Sequence, residues 1–207
     1  NKDAKNALKA IDEMLACLNK GMLLKSLEMD ETKKAVNDEY GLITTKPMLY
    51  LANIDESAVP AELLKKIEEY AAREGSAFLY LSGKIEEEIA ELSESEKGEY
   101  LEALGLKESG LTRVIHSSYR LLDLITYYTT TTDLQAWTLK KGTSALKAAG
   151  KIHTDFERGF IRAEVFNYND LKEAGNEKGV REKGHLRLEG KEYTVKDGDI
   201  IKYLFNV

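Results

Sequence analysis

The chain has 207 residues, of which 43% are hydrophobic and 32% charged, with a formal net charge of −6. That composition suits one or two packed cores in water, and no window reaches the apolar length of a membrane-spanning helix. A polar opening, "NKDAKNALKA", lacks the apolar core of a secretion signal, and the one cysteine, Cys17, cannot form an internal disulfide, so a reducing, cytoplasmic setting is expected.

The charge is uneven. Residues 121–207 hold 14 Lys+Arg and 13 Asp+Glu, a balance of +1, and residues 1–120 hold 16 and 23, a balance of −7. Binding of nucleic acid by bulk field is therefore not expected of the first part, whereas a local patch in the second could support it.

In chain order, Leu8, Ile11, Leu15, Leu18 and Met22 recur at spacings of 3, 4, 3 and 4, the pattern of a helix packed along a partner helix. The reading is the second half of a helical hairpin, residues 1–25, with a surface helix as the alternative. Cys17 falls on this helix and reads as a packed thiol. A short helix follows, capped by Asp30 and closed by Gly41. Asp38 and Gly41 have the spacing of a DxxG switch loop but follow no strand, and read as a helix end.

Next comes a strand–helix–strand unit: an apolar run at 47–52, a helix opened by Pro60 and closed by Gly75, and "AFLYLS" at 77–82. Such a unit belongs to a parallel sheet with a right-handed crossover. Ser93 and Glu96 form a capping box for a helix ending near Gly105, and another helix starts near Leu111. At "LLDLITYYTTTTD" (121–133) β-branched and aromatic residues take over, which places a domain boundary there, with 26–120 before it and 121–207 after it. The second domain reads as α+β. "LQAWTL" and "GFIRAEVF" are strands, "YNDLKEAG" opens the main helix with Asn169 or Asp170 as cap, and "LRLEGKEYTV" turns at Glu189-Gly190. In a last strand Ile201, Tyr203, Phe205 and Val207 share a face.

A phosphate loop needs GxxxxGK followed by Ser or Thr. Gly-Lys occurs at 83–84, 150–151 and 190–191, followed by Ile85, Ile152 and Glu192, so nothing in this chain is expected to cradle phosphates or position magnesium. Hydrolysis is not expected of the chain alone, and no catalytic or metal-binding residue is assigned. The end of the first strand does look like a base-reading turn. Asn53-Ile54-Asp55-Glu56 stands where guanine readers carry Asn-Lys-x-Asp. Ile54 replaces the lysine by an apolar cover, and Glu56 is longer than the guanine-reading Asp, so selectivity can relax or move to adenine. Ser82-Gly83-Lys84, after the second strand, fits the neighbouring base-contacting loop. A simple capped strand end is the alternative.

A second constellation is "KIHTDFERGFIR". His153, Arg158 and Arg162 stand beside Phe156 and Phe160, a mixture that can clamp phosphates and stack bases of single-stranded RNA; the alternative puts both rings in the core and the arginines in solvent. His153 and Asp155 could polarise a nucleophile, but read as a structural hydrogen bond.

"KPMLYLANIDE", "IAEL", "GLTRVI", "AWT", "AAGKIHTDFERGFIRAEV" and "LRLEGKEYTVKDGDIIKYLFNV" together resemble the YchF/Obg-like ATPase family of translation-factor-class P-loop proteins, over most of the chain and most densely at 150–207. The resemblance implies the last part of an α/β nucleotide-binding domain with a helical-hairpin remnant, then a TGS domain with an α+β, ubiquitin-like β-grasp fold. It implies base recognition by Asn53, Ile54, Glu56, Ser82 and Gly83, ATP or GTP as ligand, magnesium only in the intact protein, and ribosome or RNA as partner. No membrane is implied. Self-association through the helical seam or open sheet edges is a further expectation.

Overall fold

The computed structural model describes residues 2–55, 59–130 and 134–206. They form two compact units, Asn1–Leu121 and Leu122–Val207.

The first unit opens with α1 (Lys2–Asn19), which packs on α2 (Glu31–Tyr40). Asp30 caps α2 by accepting the Lys33 N–H at 2.8 Å, and Gly41 ends it in the left-handed region that a residue without Cβ adopts freely. The face that α1 buries is Ala10, Met14 and Cys17, set against Leu24 and Val36. The predicted seam is the other face. Leu8 is 60% exposed and Leu15 52%, Ile11 and Leu18 are also exposed, and Met22 lies beyond the helix end. No described residue covers that seam.

Two parallel strands follow, β1 (Leu49–Asn53) and β2 (Ala77–Leu81), with Leu49 opposite Ala77 and Asn53 opposite Leu81. The crossover is α3 (Ala61–Arg73), with Pro60 at its N-cap and Gly75 left-handed beyond its end. Tyr50 and Tyr70 both donate to Glu74, at 2.6 and 2.8 Å, tying the start of β1 to the end of α3. Those bonds hold the Glu74 carboxyl below its ordinary range and push the Tyr50 hydroxyl up to about 12. Then come α4 (Gly83–Glu91), α5 (Glu94–Ala103) with the Ser93/Glu96 capping box, and α6 (Gly110–Leu121), which lies on β2 and β1. The Ser-Gly-Lys stretch read as a loop is thus the start of a helix: Ser82 is its N-cap, and Gly83 and Lys84 form its first turn.

The second unit is a five-stranded mixed sheet of β3 (Leu124–Thr129), β4 (Gln135–Lys140), β5 (Phe160–Asn167), β6 (Arg187–Glu189) and β7 (Asp199–Phe205), in the order β4-β3-β7-β5-β6. β7 runs parallel to β3 and antiparallel to β5. Alternation along β3 and β7 sends Ile125, Tyr127, Ile201 and Tyr203 to one face, where α7 (Ala145–Ile152) covers them. Ala145, Ala148 and Ala149 are fully buried, so α7 approaches the sheet closely, and the Tyr127 hydroxyl donates to the Ala148 carbonyl at 3.1 Å. On the opposite face Phe166 and Ile200 pack with Val180 and Leu171. The helix read at 168–175 exists as α9 (Tyr168–Ala174), but its cap is Asn167, whose side chain accepts the Asn169 N–H; Asp170 is the reciprocal member of that box. Like α7, the helices α8 (Thr154–Arg158) and α10 (Glu177–Glu182) were not disclosed by the sequence.

A candidate base-binding cleft at the strand ends

β1 and β2 end level, and the chain leaves both at the same edge. The Ile54 N–H donates to the Leu81 carbonyl at 2.9 Å, adding one rung to the ladder. The Asn53 side chain then reaches across: its Oδ1 accepts the Gly83 N–H at 2.9 Å. A Cβ at Gly83 would stand 3.2 Å from that oxygen, so glycine permits the close approach. Ser82, buried between them, accepts from the Ile85 N–H at 3.4 Å.

One turn further along α4, Glu86 accepts the N–H groups of Gly110 at 2.6 Å and Leu111 at 2.9 Å. This carboxylate satisfies two of the donors that every helix start leaves open, and it suits the positive end of the α6 dipole. Gly110 is forced by space: a Cβ there would lie 2.7 Å from Leu81 Cβ and 2.8 Å from Glu86 Oε1. β2, α4 and α6 thereby meet around an open cleft of about 230 Å³. Its floor is apolar, from Ile54, Val59, Leu81, Ile85 and Leu106, with Ser82, Asp55, Glu86 and Arg113 as its polar members. Pockets for drug-sized ligands span about 300–1,000 Å³, so this one has room for a flat heterocycle rather than a whole nucleotide. Among the described residues no group of three or more His, Cys, Asp or Glu is placed to hold a metal ion.

Of the residues expected to read a base, Asn53, Ile54, Ser82 and Gly83 come together here. Ile54 and Ser82 line the cleft, while Asn53 and Gly83 form the bridge behind it. Glu56 lies outside the described residues. Glu86, Gly110 and Arg113 were not singled out from the sequence. Gly110 and Arg113 are three apart on one helix face.

The other constellation divides. Arg158, Arg162 and His153 are exposed. Phe160 is buried at 5% exposure against Tyr203, and Phe156 lies on Phe205 with ring centroids 4.0 Å apart. Both rings are core residues, and Phe160 has no face to offer a base. The bulge between Phe160 and Arg162 turns Ile161 and Arg162 outward together. His153 is a helix cap, its Nδ1 accepting the Asp155 N–H at 3.2 Å. Lys140 and Lys151 donate to the carbonyls of Leu122 and Thr138, both at 2.6 Å.

A parallel strand pair with a helix between and a cleft beyond its carboxyl ends is the place where open α/β sheets hold their ligands. Residues 124–206 match the YchF-GTPase C-terminal family model, described as a protein of unknown function (DUF933). All of the chain aligns with the ribosome-binding ATPase YchF of Escherichia coli O157:H7 at 42% identity and with that of Bacillus subtilis at 45%, spanning 58% of each relative's length. Among solved structures, the Schizosaccharomyces pombe YchF GTPase superposes with a TM-score of 0.78 at 29% identity over 98% of this chain and 55% of that one. A GTP-binding protein from Pyrococcus horikoshii shares the fold, with a TM-score of 0.58 at 21% identity. The chain belongs to the YchF family.

Proposed function

We propose that this chain is the base-reading and ribosome-directed portion of a cytoplasmic YchF-type ATPase, with residues 1–25 as a hairpin helix, 26–120 as part of the nucleotide domain and 121–207 as a TGS domain. The observation that carries the first role is the Asn53–Gly83 bond, which locks the two strand-end segments together beside a cleft of heterocycle size. In this reading Ile54 covers the base, Ser82 and Gly83 form the opposite loop, Glu56 reads the edge, and ATP or GTP is the ligand. Phosphates and magnesium are held by parts of the intact protein that this sequence, without a GxxxxGK[ST] motif, does not contain. Titration of the chain with ATP and GTP is expected to give weak, saturable binding, and Asn53→Ala to weaken it about tenfold, the equivalent of one lost hydrogen bond with its orphaned partner. Absence of saturable binding contradicts this role.

The sheet order β4-β3-β7-β5-β6, with β7 parallel to β3 and α7 crossing one face, supports a β-grasp, TGS-type unit. We propose that it docks on ribosome or RNA through the exposed His153, Arg158 and Arg162, by charge rather than by ring stacking. Co-sedimentation with ribosomes is then expected to fall steeply with salt, and the Arg158→Ala/Arg162→Ala double variant to reduce both the binding and its salt slope. A flat salt response contradicts the electrostatic reading.

A further inference from the structure

The cleft holds a cation that the base-reading motif does not include. Arg113 stands one turn into α6 and, among the described residues lining the cleft, is the sole Arg or Lys. Its Cζ lies 5.5 Å from the centroid of the Tyr80 ring, another lining residue. Among the described residues its guanidinium engages no hydrogen bond or ion pair; the nearby Glu86 carboxylate is committed to the N–H groups of Gly110 and Leu111. That cation–π contact with Tyr80 restrains the head, so donors lie at the cleft with less ordering still to be done than for a free side chain.

A fork of donors without an acceptor of its own pairs with a group that carries two adjacent acceptors, and a purine edge can be such a group. Purines differ on that edge. Guanine presents O6 and N7, two acceptors side by side, whereas adenine presents N7 beside the donor N6 amino group. An arginine therefore makes two parallel bonds to guanine, but one bond and one donor–donor clash with adenine. Building on the base-cleft reading above, we propose that Arg113, braced by Tyr80, is a specificity-determining residue that donates to the O6/N7 edge of the purine and sets how well the cleft accepts guanine relative to adenine. It supplies from α6 the guanine contact that an Asn-x-x-Glu turn lacks.

The test is titration of the 207-residue chain with GTP, ATP, guanosine and adenosine, followed by amide chemical shifts. Arg113→Lys keeps the charge and loses the fork; Arg113→Ala loses both. Both variants are expected to weaken GTP and guanosine about tenfold relative to the wild type and to leave ATP and adenosine unchanged. Tyr80→Leu should reproduce part of that selective loss by freeing the guanidinium. An equal loss for both purines overturns the proposal, as does no loss. A loss seen with GTP and ATP but not with the nucleosides would show that Arg113 meets phosphate, and overturns it too. If the wild type binds none of the four ligands, the base-cleft reading itself fails; binding with unaltered selectivity in the variants sinks the Arg113 assignment alone.

Discussion

Replacing Asp199 by alanine is expected to destabilise the second unit by about 3–5 kcal/mol, the cost typical of removing one partner from a buried charged cluster. Asp199 is fully buried at the start of β7. Its Oδ2 accepts the Tyr193 hydroxyl at 2.8 Å and the Lys196 N–H at 2.9 Å, and its Oδ1 meets the Asn167 amide at 3.5 Å and Arg187 at 3.8 Å. Burial first, and the Asp199 carboxylate second, keep the Tyr193 hydroxyl protonated well above its ordinary range, so it remains a donor throughout the physiological span. Removing the carboxylate strands these donors away from water. The same turn ties the start of β7 to β3 and to α9: Gly198 donates to the Thr126 carbonyl and accepts from the Tyr168 N–H, both at 2.8 Å, and Asp197 accepts the Thr126 N–H at 2.8 Å. Thermal unfolding of residues 122–207 should move down by at least roughly 12 °C. Asp199→Asn keeps the shape but swaps an acceptor for a donor, and should cost about 1–3 kcal/mol. A midpoint unchanged in Asp199→Ala would show that the cluster contributes nothing net.

Gly159→Ala is the second large effect, expected at about 2–3 kcal/mol. Here the constraint is space and not backbone conformation. A Cβ at Gly159 would lie 2.2 Å from the Asn206 carbonyl oxygen and 2.8 Å from its carbon. The two backbones are already tied by the Asn206 N–H donating to the Gly159 carbonyl at 2.9 Å. An alanine must push the end of β7 away from β5, breaking that bond and loosening the stack of Phe205 on Phe156. Urea unfolding should show a lower midpoint, and amides near the chain end should lose hydrogen-exchange protection. Wild-type stability in Gly159→Ala would mean that the chain end yields freely.

These positions show where the sequence was readable and where it was not. Caps and breakers translated directly: Asp30, Gly41, Gly75 and the Ser93/Glu96 box do in the structure what their residue types dictate. β1, β2, β4 and β5 were also legible, to within one or two residues, whereas β3 was read only as a change of composition at a domain boundary. The order of the five strands was not legible, because alternation says which face is buried and not which strand lies beside which.

Helix α7 was missed for a related reason. Its buried residues are three alanines, so it contributes close approach rather than a bold apolar stripe. α1 has two apolar stripes, and only the bolder one was read from the sequence. Its large apolar residues, Leu8, Ile11, Leu15 and Leu18, face outward, while the smaller stripe Ala10, Met14 and Cys17 packs on α2. The spacing of the large residues marked the seam, and the smaller stripe that meets the described neighbours was not read from it. α4 was hidden because Ser82 serves as strand exit and helix cap at once, leaving no loop between the elements.

The cleft divides along the same line. Asn53 and Ile54 were found from their place at a strand end. Glu86, Gly110 and Arg113 reach the cleft only by tertiary contact: Glu86 is 24 residues from the Gly110 N–H it holds. No spacing rule links such positions.

Amide-resolved NMR of the 207-residue chain titrated with ATP tests the central claim most directly. The account predicts saturable shifts at Asn53, Ile54, Ser82, Gly83 and the first turns of α4 and α6, lost in Asn53→Ala, with the sheet of the second unit unmoved. Shifts confined to residues 122–207, or none at millimolar nucleotide, would contradict it.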